Sequence, residues 1–138
     1  MSTALLTPVF VYVAFCFVII GMMGTMRFKA MSSGQVRGRK LKLGERNWPE
    51  RIQRVSNVAQ NQWETPILFW GAIATALILE LDAPLLVPLA WFFVVTRLVH
   101  ATIYISVNHI LSRFLSFGLG LVTMAAMWVV IALEVFSR

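Results

Sequence analysis

The sequence contains 138 residues, of which 59% are hydrophobic and only 13% are charged. Soluble domains carry about a quarter charged residues, so this composition excludes an ordinary soluble domain and indicates contact with lipid. The length allows one domain, and the net charge of +6 needs no nucleic-acid partner, because basic residues that orient a membrane protein and contact lipid headgroups account for it. The single cysteine, Cys16, cannot form an internal disulfide.

Four apolar stretches follow one another, and each supplies the roughly 20 residues that a helix needs to cross about 30 Å of hydrocarbon. The first has no charge before Arg27. Because positive charge follows this stretch and does not precede it, we expect a retained helix and not a signal peptide. The stretches are too continuously apolar for barrel strands. The sequence therefore predicts an all-α membrane protein, one domain over 1–138, with a bundle of four transmembrane helices at about 5–27, 55–80, 84–107 and 113–136.

Basic residues are concentrated between the first and second predicted helices, in a loop over residues 28–54. Short loops rich in Lys and Arg remain in the cytoplasm. We therefore expect this loop to be cytoplasmic and both chain termini to lie outside. The connection around Glu80 and Asp82 has no basic residue and is expected outside.

The second predicted helix carries polar residues on one face. Asn57, Asn61 and Glu64 are spaced by four and three residues, which places them one above another on a helix. Charge inside a membrane is costly, so Glu64 indicates a functional site. Pro66 has no N–H for the carbonyl of Gln62, and we expect a kink there.

The third predicted helix carries Arg97, His100 and Tyr104 on one face, at spacings of three and four. Arg27 ends the first helix and Arg113 begins the fourth. Because neighbouring helices run in opposite directions, we expect all four to bring polar groups to one membrane level, open to the cytoplasm.

This set of groups matches a water-soluble ligand with several carboxylates and one ammonium. Arginine side chains bind carboxylates through two parallel hydrogen bonds, and Glu64 would bind the ammonium. Glutathione has this charge pattern and adds a thiol. Structural alternatives are an ion pair between Glu64 and Arg97, interhelical hydrogen bonds from the Asn side chains, and a core position for His100. His100 and His109 lie nine residues apart with no Cys or carboxylate nearby, so no metal site is expected.

Two motifs resemble those of the MAPEG family, the membrane-associated proteins in eicosanoid and glutathione metabolism. Residues 57–69, NVAQNQWETPILF, resemble the second-helix motif, in which a Glu follows an Asn by three residues and precedes a Pro. Residues 97–104, RLVHATIY, together with Arg113, resemble the third-helix motif and the Arg that begins the fourth helix. The resemblance covers nearly the whole chain and is strongest to bacterial members. It implies an inner-membrane homotrimer with glutathione between neighbouring subunits, near the cytoplasmic side.

The resemblance also assigns roles to the polar residues. Asn61 and Glu64 would hold the γ-glutamyl end of glutathione, and Arg27 would meet a carboxylate at the rim. Arg113 would lie near the sulfur, with Tyr104 able to add a hydrogen bond to it. The full set of expected glutathione contacts is Arg27, Asn57, Asn61, Glu64, Arg97, His100, Tyr104 and Arg113, of which Arg113 and Tyr104 would be catalytic.

Two departures from the family pattern are visible. Asn57 stands where many members have an Arg, for which Arg51 and Arg54 are the nearest substitutes, and Phe114 stands where well-studied prostaglandin synthases of the family have a Ser. Glutathione binding is therefore implied more firmly than any one reaction.

Three functions remain open. The first is a glutathione transferase or peroxidase that directs the thiolate at a lipophilic substrate from the membrane, such as a reactive electrophile or a lipid hydroperoxide. The second is a non-catalytic scaffold that binds glutathione or another anion. The third is a small multidrug transporter, although such proteins have their essential Glu in the first helix, where this chain has none.

Overall fold

The computed structural model describes residues 2–37 and 47–137, and the regular structure in these ranges is helical. The prediction of an all-α, four-helix membrane bundle is confirmed, with the second of the four spans divided into two helices. The predicted basic loop lies partly outside the described residues and is helical at both of its ends. The five helices are α1 (Ser2–Ser32), α2 (Glu50–Glu64), α3 (Ile67–Ile78), α4 (Leu86–Ile105) and α5 (Ile110–Phe136).

The chain is an integral membrane protein in which α1, α4 and α5 are each long and apolar enough to cross a bilayer. α1 ends where Gly34 adopts a positive φ of 75°, a conformation that glycine tolerates without steric cost. The N–H of Val36 then donates to the carbonyl of Ala30 at 3.1 Å. Val36 is buried with Ala30 and Ile52, so the start of the first connection is held against the beginning of α2.

The second span is interrupted at Pro66. Helix α2 ends at Glu64, Thr65 and Pro66 form a turn, and α3 begins at Ile67. Pro66 has no N–H to continue the helical ladder, and the N–H of Trp70 starts a new one by donating to the Pro66 carbonyl at 3.0 Å. Pro66 therefore separates two helices, whereas the sequence predicts only a kink within one helix.

The interior of the bundle is divided by polarity along the length of the helices. In the half formed by α3 and the first halves of α1 and α4, Phe69 and Phe93 stack at a centroid distance of 4.5 Å and contact the ring of Tyr12. The hydroxyl of Tyr12 donates to the buried Gln62 side chain at 2.7 Å. The polar groups of α2, α4 and the start of α5 lie beyond this boundary, in the other half.

A tight turn between α4 and α5 brings the start of α5 back to the end of α4. Asn108 has a positive φ of 53°, and its N–H donates to the carbonyl of Ile103 at 2.7 Å. The side chain of His109 accepts from the backbone N–H of Ser112 and so caps α5. This reversal returns Arg113 to the level of Tyr104.

Candidate functional site

Tyr104 joins three helices at the polar end of the bundle. Its hydroxyl oxygen accepts a hydrogen bond from the Asn57 side chain on α2 at 2.9 Å. The guanidinium carbon of Arg113 on α5 lies 3.5 Å from the centroid of the Tyr104 ring, a close cation–π contact. Arg113 also donates to the side-chain oxygen of Asn108 in the preceding turn. Three of the predicted site residues are thus in direct contact.

His100 lies one turn before Tyr104 on α4 and is only 4% exposed. Its Nδ1 is 3.1 Å from the backbone carbonyl of Arg113 and 3.3 Å from the hydroxyl of Ser116. A carbonyl only accepts, so Nδ1 carries a proton and donates to it. Nε2 of the neutral ring is then an acceptor, and it has no partner among the described residues.

Arg97 is 1% exposed, although it is charged. One guanidinium nitrogen donates to the backbone carbonyl of Asn61 at 3.1 Å, and the guanidinium carbon lies 5.4 Å from the centroid of the Phe117 ring. Glu64 is exposed and accepts from Gln60 at 2.6 Å. Within the described ranges it forms no salt bridge with Arg97, so the structural ion pair between them is absent there.

Arg27 lines a separate but adjoining cavity between α1 and α2, with a volume of about 270 Å³. Its Nε and Nη2 donate to the hydroxyl of Ser56 at 3.2 and 2.9 Å, and its guanidinium lies 4.9 Å from the Trp48 ring. Asn57 lines the same cavity and also donates to Tyr104. It therefore connects the Arg27 cavity to the contacts between Tyr104 and Arg113.

Within the described part of the chain, the predicted site residues therefore form one connected group with two exceptions. The side chain of Asn61 makes no hydrogen bond to the others, and Glu64 faces outward from α2. Arg27, which lines one cavity with Asn57, belongs to this group together with Asn57, Tyr104, Arg113 and His100. Arg97 joins it through the Phe117 ring, which both Arg97 and His100 contact.

Buried polar atoms without partners are concentrated at this end of the bundle. In residues 2–37 and 47–137 they are Gln53 Oε1, Arg97 Nε, His100 Nε2 and Arg113 Nε. An unpaired buried donor or acceptor costs about 1–3 kcal/mol, so such atoms indicate where a ligand or water binds. Guanidinium donors suit carboxylates and a thiolate, and an imidazole nitrogen suits an N–H donor, so this set could bind a ligand that carries such groups.

Several polar contacts of the site are not singled out by the sequence patterns. Gln53 lies four residues before Asn57, so extending the polar face of α2 by one turn would find it. Ser56, Asn108 and Ser116 are common loop or helix residues, and no spacing marks them. No group of three or more potential metal ligands occurs in the described part of the chain.

Comparison with known proteins agrees with the two sequence motifs. The profile of the MAPEG family matches residues 5–133, which confirms the resemblance. No curated protein and no solved structure matches the chain significantly.

Proposed function

Because the chain belongs to the MAPEG family, we propose that it binds glutathione and acts as a glutathione transferase or peroxidase on lipophilic substrates. MAPEG proteins bind glutathione, and many of them catalyse these reactions. The observation that carries the proposal for this chain is the group of unpartnered buried atoms on Arg97, His100 and Arg113. Family membership also argues against the multidrug transporter.

Arg113 is the residue proposed to activate the thiol. A free thiol has a pKa of about 8.5, and a neighbouring cation lowers it by stabilising the thiolate. Arg113 has an unpartnered Nε and stacks on Tyr104, whose hydroxyl lies at the same level. In the proposed mechanism, the thiol proton passes to water and the negative charge stays on sulfur between these two groups.

The thiolate then attacks a substrate that enters from the lipid. In conjugation, a bond forms between sulfur and an electrophilic carbon, and the leaving group departs with its electron pair. With a hydroperoxide, sulfur takes one oxygen as the O–O bond breaks, which gives an alcohol and a sulfenic acid. A second glutathione displaces water from the sulfenic acid and forms the disulfide.

We infer that the functional unit is a homotrimer with glutathione between subunits. Glu64 is exposed in one subunit, and next to it the side chains of Trp63 and Ile67 are 64% and 65% exposed. A neighbouring subunit would cover these apolar groups and enclose Glu64, which would then bind the ligand ammonium while Arg27 binds a carboxylate. The mass of the complex in native mass spectrometry tests this stoichiometry.

We further propose that the protein lies in a bacterial inner membrane. The basic connection 28–54 would face the cytoplasm, and the two termini would lie outside. The polar end of the bundle, which adjoins this connection, would then be accessible to cytoplasmic glutathione.

The test of the function is an ultraviolet difference titration of glutathione into the purified protein. The wild type should give a saturable thiolate band. Arg113→Ala should lose most of this band because the cation that stabilises the thiolate is gone. Glu64→Gln should retain it but require about tenfold more glutathione, as expected for one lost charged hydrogen bond.

Arg37→Ala is the matched control for the loss of one positive charge, since Arg37 is exposed beyond the end of α1. Normal glutathione turnover by Arg113→Ala would contradict the assigned role. Binding in calorimetry without any thiolate band in the wild type would favour the non-catalytic scaffold.

A further inference from the structure

A line of side-chain hydrogen bonds runs along α2 from the Arg27 cavity to Tyr104. Nε2 of Gln53 donates to Oδ1 of Asn57 at 2.8 Å, and Nδ2 of Asn57 donates to the hydroxyl oxygen of Tyr104 at 2.9 Å. Each amide uses its N–H group to reach the next acceptor, so both hydrogen bonds have the same direction. Hydrogen bonds in such a line polarise and strengthen one another.

The two ends of this line have opposite hydrogen-bonding character. Gln53 Oε1 is buried, has no partner among the described residues, and belongs to a side chain that lines the Arg27 cavity. At the other end, the Tyr104 oxygen is already accepting from Asn57, and its own proton has no acceptor in the part of the chain that the structure describes. At the Arg27 cavity the line thus offers a hydrogen-bond acceptor, the Gln53 oxygen, and at Tyr104 it offers a donor, the hydroxyl proton.

The surroundings of Tyr104 favour an anion as the missing acceptor. Arg113 contributes a guanidinium from α5 at 3.5 Å from the ring centroid, and the His100 ring on α4 lies 5.9 Å away. On α2, Asn57 is neutral, and Arg54, which is paired with Glu50 in a salt bridge, donates to the carbonyl of Ser106 and has no described contact with Tyr104. The groups with described contacts around Tyr104 are thus cationic or neutral.

We propose that Gln53 is a positioning residue that acts through Asn57 to hold the Tyr104 hydroxyl proton toward the ligand sulfur. This inference rests on the proposed function. Asn57 stands where many family members have an Arg, and in this chain the Asn57 amide donates to Tyr104 and accepts from Gln53. The unpartnered oxygen of Gln53 accepts an N–H of the same ligand, which selects a thiol carried by a peptide.

The expected consequence is a change in the pKa of the bound thiol. A hydrogen bond to the thiolate stabilises the charged form and lowers the thiol pKa, so weakening that bond raises it. Removing Gln53 frees Asn57 to rotate away from Tyr104. We expect the pKa of the bound thiol to rise by about 0.5–1 unit, which lowers the thiolate fraction about three- to tenfold at a pH below that pKa.

The experiment measures the thiolate band against pH at saturating glutathione in Gln53→Met and Gln60→Met. Both changes keep the side-chain length and remove one amide from the same cavity, but Gln60 donates to Glu64 and not to Asn57. The inference predicts a raised thiol pKa only in Gln53→Met. Gln60→Met is expected to change the glutathione concentration needed for saturation and to shift the thiol pKa by less than about 0.3 unit.

Asn57→Asp provides a second variant of nearly the same shape. A carboxylate cannot donate to Tyr104, so the hydroxyl proton turns toward residue 57 and the thiol pKa should again rise. Equal thiol pKa values in the wild type, Gln53→Met and Asn57→Asp would overturn the inference and leave the proposed function intact. Equal shifts of the thiol pKa in Gln53→Met and Gln60→Met would also overturn it. Such shifts would mean that the thiol pKa responds to the loss of any amide from the cavity and not to the hydrogen bond between Gln53 and Asn57. A wild type without a thiolate band would overturn the proposed function and the inference together.

Discussion

Three side chains at this site, Arg97, His100 and Arg113, are held by contacts within the chain and also have a buried polar atom without a partner among the described residues. His100 is the clearest example, because its Nδ1–H is held by the Arg113 carbonyl while Nε2 has no partner among the described residues. The internal bond fixes the ring orientation and the proton position, so the free nitrogen is a defined acceptor. The same residue therefore contributes to packing and presents a binding group.

Substitutions at His100 should separate these two contributions. The amide nitrogen of Asn can replace Nδ1, so His100→Asn should keep the bond to the Arg113 carbonyl and unfold within a few degrees of the wild type. It should bind glutathione about tenfold more weakly, because the acceptor Nε2 is lost. His100→Gln should show the reverse, with a lower unfolding temperature and a smaller loss of affinity. Calorimetry and thermal unfolding in detergent measure both, and wild-type affinity in His100→Asn would refute a ligand contact at Nε2.

At the scale of helices, the position of Arg97 depends on close packing between α4 and α5. A Cβ atom added at Gly120 would lie 3.1 Å from Oγ1 of Thr96 and 3.8 Å from Cδ of Arg97. The absence of a side chain at Gly120 therefore lets α5 approach the buried guanidinium. Glycine serves the same purpose in many membrane helix pairs.

Gly120→Leu should separate α4 from α5 and displace Arg97. Overpacking of this kind costs about 1–3 kcal/mol, so the unfolding temperature should fall and glutathione binding should weaken with it. Gly118→Leu is the matched control, since a Cβ at Gly118 meets no atom of the described residues within 4 Å. Equal unfolding temperatures for the two variants in scanning calorimetry in detergent would contradict this packing role of Gly120.

At the scale of the whole molecule, the proposed orientation can be tested by cysteine accessibility. Cys16 is buried, and it can be changed to Ser to give a background without cysteine. Asp82 is exposed in the α3–α4 connection and Gln35 is exposed just after α1, so Asp82→Cys and Gln35→Cys each introduce one accessible thiol. An impermeant maleimide added to intact spheroplasts should label position 82 and should label position 35 only after lysis. The opposite labelling would invert the orientation.

The sequence predicts the features that depend on composition and helical spacing. Long uncharged runs define the spans because charged side chains and unpaired backbone groups are costly in lipid. The spacing of Asn57 and Tyr104 within their motifs predicts that the two residues share a site. The hydrogen bond between Tyr12 and Gln62 is not predictable, because it joins residues 50 positions apart and no pattern pairs them. The outward direction of Glu64 is likewise set by how α2 packs on α1 and α4 and not by its spacing.

The division of the second span at Pro66 has a consequence for how the protein enters the membrane. Helix α3 has 12 residues and is about 18 Å long at about 1.5 Å per residue, too short to cross the hydrocarbon alone. Helix α2 is polar, and its hydrogen bonds to Arg27 on α1 and Tyr104 on α4 exist only after these helices are assembled. We therefore expect integration of this span during biosynthesis to wait for α4, so that chains truncated before α4 should leave residues 50–78 accessible to protease.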